Sequence, residues 1–170
     1  RGASVIRTAS TDEKCQAIAE LGGTPVNYSK DDWVKEVLAH TDGNGADVIL
    51  DSVGGDVLIR SYKEALTIFG RLVVFGVASH ETIQLTNRDI LASNKALLGY
   101  WVTPFFDNHR HLVAGAIQDL IELAQQGKVK LTIGKTFPLE KSAEAFNYMQ
   151  NRKNIGKIVI TNQSSESSSS

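Results

Sequence analysis

Short apolar runs alternate with amphipathic stretches along the first half of the chain. Runs typical of strands lie at Ser4–Ala9, Ala46–Asp51 and Leu72–Phe75, and stretches typical of helices lie at Ser10–Leu21 and Asp56–Phe69. The strand runs do not alternate strictly between apolar and polar residues, which is typical of strands buried on both faces, and helices between such strands imply parallel crossovers. The pattern therefore predicts an α/β fold built on a doubly wound parallel sheet.

The same pattern continues to residue 161, and we expect residues 1–161 to form one domain. Ser10 and Glu13 fit a capping box at the start of the first helix, and Gly22 is expected to end that helix. Residues 162–170 are rich in serine, which predicts a disordered tail. The further predicted elements are strand Pro25–Tyr28, a helix opened by Ser29 and Asp32 that runs to about His40, helix Asn87–Ser93, strand Ala96–Val102, helix Leu112–Gln126 with Leu112, Ile117, Leu120, Ile121 and Leu123 facing inward, strand Thr132–Phe137, helix Lys141–Asn151 and strand Lys157–Thr161.

A parallel sheet of this kind binds its ligand at the carboxyl ends of the strands, and a Gly-rich turn after the first strand holds the phosphates of a dinucleotide. No such turn precedes the strand at Ser4–Ala9. We therefore expect a Rossmann-like sheet that lacks its first strand and its Gly-rich turn, as in the later part of a cofactor-binding domain.

The charge and hydrophobicity of the chain argue against nucleic acid and membranes as binding partners. The chain has 170 residues, of which 42% are hydrophobic and 22% charged, with a net charge of −1. A nearly neutral chain creates no field that attracts nucleic acid or an anionic membrane, and no apolar stretch has the length of a bilayer span. The single cysteine, Cys15, excludes an internal disulfide; Lys14 beside it could lower its pKa, but we favour a half-buried structural thiol.

The end of the first strand carries a candidate phosphate site. An acid at this point of a dinucleotide fold binds the adenosine ribose of NAD, but here Ala9 and Ser10 come first and the nearest acid is Asp12. Ser10, Arg7 and Lys14 would supply donors around one point, which favours the 2′-phosphate of NADP(H). The alternative is that Ser10 only caps the helix and Lys14 is a solvated surface lysine.

Two other features have candidate roles at the ends of the next strands. Asp51 ends a strand without a histidine or second acid beside it, so we interpret it as a structural acid that accepts hydrogen bonds from backbone amides, with Val53–Gly55 as part of the cofactor wall. Gly76 would let the backbone approach a nicotinamide ring closely, or would simply end its strand. The lone cysteine and four histidines have no spacing typical of a metal site, so no metal is predicted.

Four blocks of sequence together resemble the medium-chain dehydrogenase/reductase superfamily. They are SVIRTASTDEKCQAIAELGGTPVNYSKDD, GADVILDSVGGD, GRLVVFGVAS and NIGKIVI, in the order and spacing of that superfamily and covering nearly all of residues 1–161. The chain is most similar to the zinc-free quinone oxidoreductases and the related 2-enoyl thioester reductases.

The resemblance implies a set of cofactor contacts. It assigns Ser10, Lys14, Tyr28 and Arg152 to the adenosine 2′-phosphate, although Tyr28 could instead be a core aromatic and Arg152 a solvated helix-end cation. The nicotinamide side is expected to consist of Phe75, Gly76, Val77 and Ala78 and of Tyr100, Trp101 and Val102, where the alternative for the aromatic residues is buried packing at a dimer edge. Asn154 and Lys157 match cofactor-contacting positions, where the alternative for Lys157 is a surface charge.

The predicted function is NADPH-dependent hydride transfer to an activated C=C bond, as in an enone or enoyl thioester, or to a quinone. The resemblance puts the substrate-orienting tyrosine of enoyl reductases in another domain, so no residue of this chain is predicted to be catalytic and the chain alone is expected to be inactive. We further expect a small-molecule substrate, a homodimer formed through residues 96–102, and a cytoplasmic or mitochondrial location. The alternative function is a non-catalytic, Rossmann-derived interaction module.

Overall fold

The computed structural model describes residues 2–151 and 154–162 of the chain. They belong to two compact units, Arg1–Asn108 and His109–Ser170. The prediction of one domain over residues 1–161 stays a prediction. Apart from Asn162, the tail predicted to be disordered lies outside the described residues.

The first unit alternates strands and helices from its start. Gly22, which has a φ of 77°, follows the end of the first helix as expected for a left-handed stop. The elements are β1 (Ile6–Ala9), α1 (Asp12–Glu20), β2 (Thr24–Asn27), α2 (Trp33–Ala39), β3 (Ala46–Asp51), α3 (Gly55–Arg60) continued by a π-helical turn (Ser61–Ala65), β4 (Leu66–Val74), α4 (Asn87–Ser93), β5 (Ala96–Gly99) and α5 (Thr103–Asn108).

Every strand pair in this unit is parallel, which confirms the predicted α/β class. β1 pairs with β2, and β3, β4 and β5 form a second sheet in that order. Among the described residues, β1 and β3 do not pair with each other, so each presents one unpaired edge. Within the described residues, β5 is an edge strand of its sheet.

Two apolar clusters hold the strands and helices of the first unit together. In one, α2 buries Trp33, Val34 and Val37 against Val26 of β2 and Ala65 of the π-helical turn. The other cluster is formed by Leu58, Tyr62, Leu66 and Leu72, from α3, the π-helical turn and β4. Burial of side chains of this size is the main favourable contribution to stability.

Two expectations about these strands and helices are wrong. The helix predicted over Asp56–Phe69 ends at Ala65, because Leu66 pairs with Ala46 and opens β4. Val48 and Leu50 of β3 are exposed, so this strand is not buried on both faces in the described residues. The second difference arises because an unalternating apolar run shows what a strand could bury, whereas the elements packed on it decide what it does bury.

The capping prediction for α1 is also wrong by one residue. Thr11, not Ser10, is the N-cap: its side chain accepts a hydrogen bond from the Lys14 backbone N–H at 3.3 Å. Ser10 is thereby left outside the helix cap.

The second unit contains α6 (Arg110–Gln125), β6 (Ile133–Pro138), a 3₁₀ turn (Leu139–Lys141), α7 (Ser142–Gln150) and β7 (Lys157–Thr161), with β6 and β7 parallel. Phe137 and Ala145 are its buried apolar residues among those described. The prediction that α6 has an inward-facing apolar side is wrong, since no described element of this unit covers that side. Its residues Leu112, Ile117, Leu120, Ile121 and Leu123 are exposed.

Candidate cofactor-binding site

The carboxyl ends of β1 and β2 are joined by hydrogen bonds between the loops that follow them. The Tyr28 backbone N–H donates to the Ala9 carbonyl at 2.9 Å, and the Ser29 hydroxyl donates to the Ser10 carbonyl at 2.9 Å. The two loops therefore lie side by side at the sheet edge where a parallel α/β fold binds its ligand.

Three of the predicted phosphate donors have no acceptor in the described part of the chain. The Ser10 hydroxyl, the Lys14 ammonium and the Arg7 guanidinium form no hydrogen bond or ion pair there, and Ser10 and Lys14 are half-buried. Since Thr11 caps α1, the alternative role of Ser10 as a cap is excluded. Ser10 and Lys14, which follow β1, are donors of the kind that a dianionic phosphate group accepts. The Arg7 side chain instead lies near Gly23, before the start of β2, where its Cδ would be 3.6 Å from an added Cβ.

A network centred on Asp12 lies at the same place and was missed by the sequence analysis. The Asn27 side-chain amide donates to Asp12 Oδ1 at 2.8 Å, and Lys30 Nζ lies 2.9 Å from the same oxygen. These hydrogen bonds and the Lys30 charge lower the pKa of Asp12, and the Asp12 carboxylate raises the pKa of Lys30. The acid nearest to β1 is thus paired with a cation.

The end of β3 is built around Asp51, which is 4% exposed. Its carboxylate accepts a hydrogen bond from the Gly54 backbone N–H at 2.8 Å, within a turn in which Gly54 and Gly55 have φ values of 80° and 58°. Burial raises the pKa of Asp51, while the amides of Gly54 and Val53 oppose that shift. The interpretation of Asp51 as a structural acid bonded to backbone amides is confirmed.

The segment after β4 is hydrogen-bonded to the end of β3 and the turn that follows it. The Phe75 N–H donates to the Asp51 carbonyl at 2.8 Å and the Ala78 N–H to the Ser52 carbonyl at 3.0 Å. A Cβ at Gly76 would lie 2.9 Å from the Ser52 carbonyl oxygen, so this close backbone approach requires glycine. Phe75, Val77 and Ala78 are exposed at this end of the sheet, with Val53 half-buried beside them.

The aromatic block follows β5 at the same end of the three parallel strands. The Tyr100 N–H donates to the Val74 carbonyl at 2.8 Å, and the Tyr100 ring lies 5.2 Å from that of Phe105. Trp101 is 75% exposed, and its indole N–H donates to the Thr103 hydroxyl at 2.8 Å. Trp101 is therefore not packed in the core of this chain; Val102, also exposed, completes the block.

The remaining predicted residues belong to the second unit. Asn154 and Lys157 line an open cleft of about 490 Å³ together with Leu131, Thr132 and Met149. The Asn154 side-chain amide donates to the Gly156 carbonyl at 3.3 Å. Arg152 lies outside the described residues, so its predicted phosphate contact stays a prediction.

The remaining chemistry of the described residues concerns metal ligands, membrane-spanning helices and the thiol of Cys15. Within residues 2–151 and 154–162, no three His, Cys, Asp or Glu side chains are grouped as a metal site would require, and no helix there has the length and apolar character to cross a membrane. Cys15 is half-buried, and burial raises the pKa of its thiol, which confirms a structural rather than an activated cysteine.

A family model described as zinc-binding dehydrogenase matches residues 21–160. Among curated proteins, the chain is 28% identical to a quinone oxidoreductase-like protein 2 of Bos taurus, with 94% of this chain and 46% of that protein covered. It is 32% identical to a 2-haloacrylate reductase of a Burkholderia species, with 95% and 49% covered. The chain thus spans about half the length of the curated relatives it matches.

Solved structures of a dehydrogenase and a reductase have the same fold as this chain. An NAD-dependent alcohol dehydrogenase superposes with a TM-score of 0.82 at 28% identity, with 95% of this chain and 45% of that chain covered. The CurK enoyl reductase superposes with a TM-score of 0.79 at 27% identity, with 94% and 47% covered. The described α/β units therefore match a Rossmann-like cofactor-binding domain.

Proposed function

The chain belongs to the zinc-binding dehydrogenase family, and we propose that it supplies the NADPH-binding part of a reductase of activated C=C bonds or quinones. The resemblance to medium-chain dehydrogenases and reductases is thereby confirmed, and with it an oxidoreductase fold that binds a nicotinamide cofactor. The choice of NADPH and of the substrate class is our proposal.

The observation that carries the proposal is the donor set at the end of β1. Ser10 and Lys14 have no acceptor in the described part of the chain, and the nearest acid, Asp12, is already paired with Lys30. Arg7 of β1 is proposed as a further donor. NADH needs a carboxylate that accepts from its ribose hydroxyls, whereas NADPH needs cations and hydroxyl donors. Tyr28, in the loop joined to Ser10, and Arg152 are proposed as further contacts to the 2′-phosphate.

The bound cofactor would supply a hydride from C4 of its nicotinamide ring. The residues proposed to line that ring are Tyr100, Trp101 and Val102 after β5 and Phe75, Gly76, Val77 and Ala78 after β4, with Val53 of the turn after β3 as part of the cofactor wall. Asn154 and Lys157 of the second unit are proposed as additional cofactor contacts. None of these side chains is proposed as the proton donor to the substrate.

The names of the relatives support the substrate class. A 2-haloacrylate reductase and an enoyl reductase are named for substrates with an electron-poor C=C bond, and a quinone oxidoreductase-like protein is named for its likeness to an enzyme that acts on quinones. An electron-poor C=C bond and a quinone are both electrophiles that can accept a hydride. We propose the same reaction class for the protein to which this chain belongs, without a requirement for zinc and as a homodimer formed through residues 96–102.

The cofactor assignment is tested by Lys14→Ala in the intact protein, with dissociation constants for NADPH and NADH measured by fluorescence titration. A charge-assisted contact to phosphate contributes roughly 1.5–3 kcal/mol, so NADPH should bind roughly ten- to over a hundredfold more weakly while NADH is unaffected. Lys35→Ala, at an exposed lysine of α2, is the matched control and should change neither constant. An equal loss for both cofactors would contradict the assignment.

A second function, a non-catalytic interaction module, is favoured by the unpaired edges of β1 and β3 and by the exposed Val48 and Leu50. The same titrations discriminate between the two functions. An intact, folded protein that binds neither dinucleotide would support the interaction module and contradict the reductase.

A further inference from the structure

We propose that the Asp12–Lys30 ion pair sets the preference of this site for a 2′-phosphorylated adenosine, by neutralising the carboxylate that would otherwise repel the phosphate. The inference rests on the proposed function, because it concerns how the same site distinguishes NADPH from NADH. In this role Lys30 and Asn27 are positioning residues that act through Asp12 and need not contact the cofactor themselves.

Asp12 lies at the start of α1, close to the end of β1. It is the first residue of α1 and the first acid after β1, at the strand end where a dinucleotide fold reads the adenosine ribose. A free carboxylate there would attract the ribose hydroxyls of NADH and repel the 2′-phosphate of NADPH. An unpaired Asp12 would therefore work against the donors Ser10 and Lys14.

The loop after β2 holds the Asp12 carboxylate through hydrogen bonds and an ion pair. Asn27 is buried, and its side-chain oxygen accepts the Ser29 backbone N–H at 3.0 Å, which directs its amide N–H toward Asp12. The Ser29 hydroxyl fastens the same loop to the Ser10 carbonyl. Lys30, the next residue, then reaches Asp12 Oδ1 at 2.9 Å.

The exposure of the Asp12–Lys30 pair limits how much it can change the nucleotide preference. The side chains of Lys30 and Asp12 are 55% and 74% exposed, so water and salt screen both charges. We therefore expect breaking the pair to change the preference by roughly two- to fivefold at low ionic strength, which corresponds to the strength of an exposed ion pair. At about 1 M salt, where the Debye length is about 3 Å, the change should largely disappear.

The experiment measures dissociation constants of 2′,5′-ADP and 5′-AMP by calorimetry in the intact protein, and compares their ratio between variants. Lys30→Met should lower the preference for 2′,5′-ADP roughly two- to fivefold, because Asp12 becomes an unpaired anion. Asp12→Asn with Lys30→Met should return the ratio to within about twofold of the wild type, since neither charge is left. Lys30→Arg, which keeps the pair, should leave the ratio unchanged, as should Lys35→Met at the exposed control lysine on α2.

Four results would overturn the inference. If the double variant stays as weak for 2′,5′-ADP as Lys30→Met, Lys30 itself binds the phosphate. If Lys30→Met weakens both nucleotides equally and lowers the melting temperature, the pair is only structural. If the wild type binds 2′,5′-ADP no better than 5′-AMP, the proposed function fails and the inference fails with it, whereas a wild-type preference that no variant changes refutes the inference alone.

Discussion

Replacing Asp51 by alanine should destabilise the first unit through the turn that joins β3 to α3. The carboxylate is buried and accepts the Gly54 backbone N–H at 2.8 Å, in a turn whose glycine φ values are positive. A hydrogen bond to a charged group contributes about 1.5–3 kcal/mol, and the buried amide would be left without its partner. We therefore expect the free energy of unfolding to fall by about 2 kcal/mol.

The assay is urea unfolding at neutral pH, followed by circular dichroism and by the fluorescence of Trp33, which is 3% exposed in the core of the first unit. Asp47→Ala is the matched control, because Asp47 lies on the same strand but is exposed. Its effect should stay within about 0.5 kcal/mol. If Asp51→Ala and Asp47→Ala had the same effect, Asp51 would not be holding the turn.

The pH dependence of the same quantity tests the cause of the Asp51 pKa shift. Burial raises the native pKa of Asp51 above its unfolded value, so the native state binds the proton more tightly than the unfolded state does. The resulting stabilisation is present below the unfolded pKa, near about 4, and is lost as pH rises through the native pKa. The free energy of unfolding of the wild type minus that of Asp51→Asn should therefore fall as pH rises; an increase would mean that the amide hydrogen bonds outweigh burial.

Three further predictions concern the proposed reductase in its intact form. Chelation should leave turnover unchanged, and stoichiometric zinc whose removal abolishes activity would refute the zinc-free proposal. Trp101→Leu should alter hydride transfer while changing stability by no more than about 0.5 kcal/mol, since Trp101 is 75% exposed, whereas Trp33→Ala should cost roughly 3–5 kcal/mol; kinetics and melting temperatures measure both. Leu98→Lys, on the exposed edge strand β5, should shift the protein toward monomer in sedimentation, and Leu91→Lys, at an exposed leucine of α4, should not.

Elements with strong local signals were predicted to the residue. β3 matches its predicted bounds, Ala46–Asp51, and α4 matches Asn87–Ser93. α4 begins with a capping box between Thr86 and Asp89 and is followed by Asn94 in the left-handed conformation. Such boundaries depend on neighbouring residues alone, so the sequence is sufficient to locate them.

Elements whose limits depend on distant partners were predicted less well. The residues before Leu66 continue a helical pattern. Leu66 nevertheless begins β4, because it pairs with Ala46, which lies twenty residues earlier in the sequence. The strand expected over 96–102 ends at Gly99, and the unpredicted helix α5 follows at Thr103–Asn108. Strand pairing and tertiary contacts override local propensity at these positions.

The candidate site shows the same division between local and distant information. Ser10 and Lys14 could be proposed as cofactor contacts from the sequence, because the loop after a strand is where a cofactor binds, and that argument needs only the order of the elements. The pairing of Asp12 with Lys30 could not, because it depends on the register in which Ala9 lies opposite Asn27. A shift of that register by one residue would direct the Asn27 side chain to the other face of the sheet and remove the partner of Asp12.

Because Ser10 and Thr11 are adjacent hydroxyl residues, the helix cap and the proposed anion contact can be two different residues. Thr11 accepts the Lys14 backbone N–H and so caps α1, which leaves the Ser10 hydroxyl without a bond in the described residues. If Ser10 were the cap, its oxygen would accept a helix N–H, and although its O–H could still donate to a phosphate, the orientation of the hydroxyl would be set by the helix. The one-residue error in the predicted cap therefore strengthens the proposed site, because it separates the residue that stabilises the helix from the residue proposed to bind the cofactor.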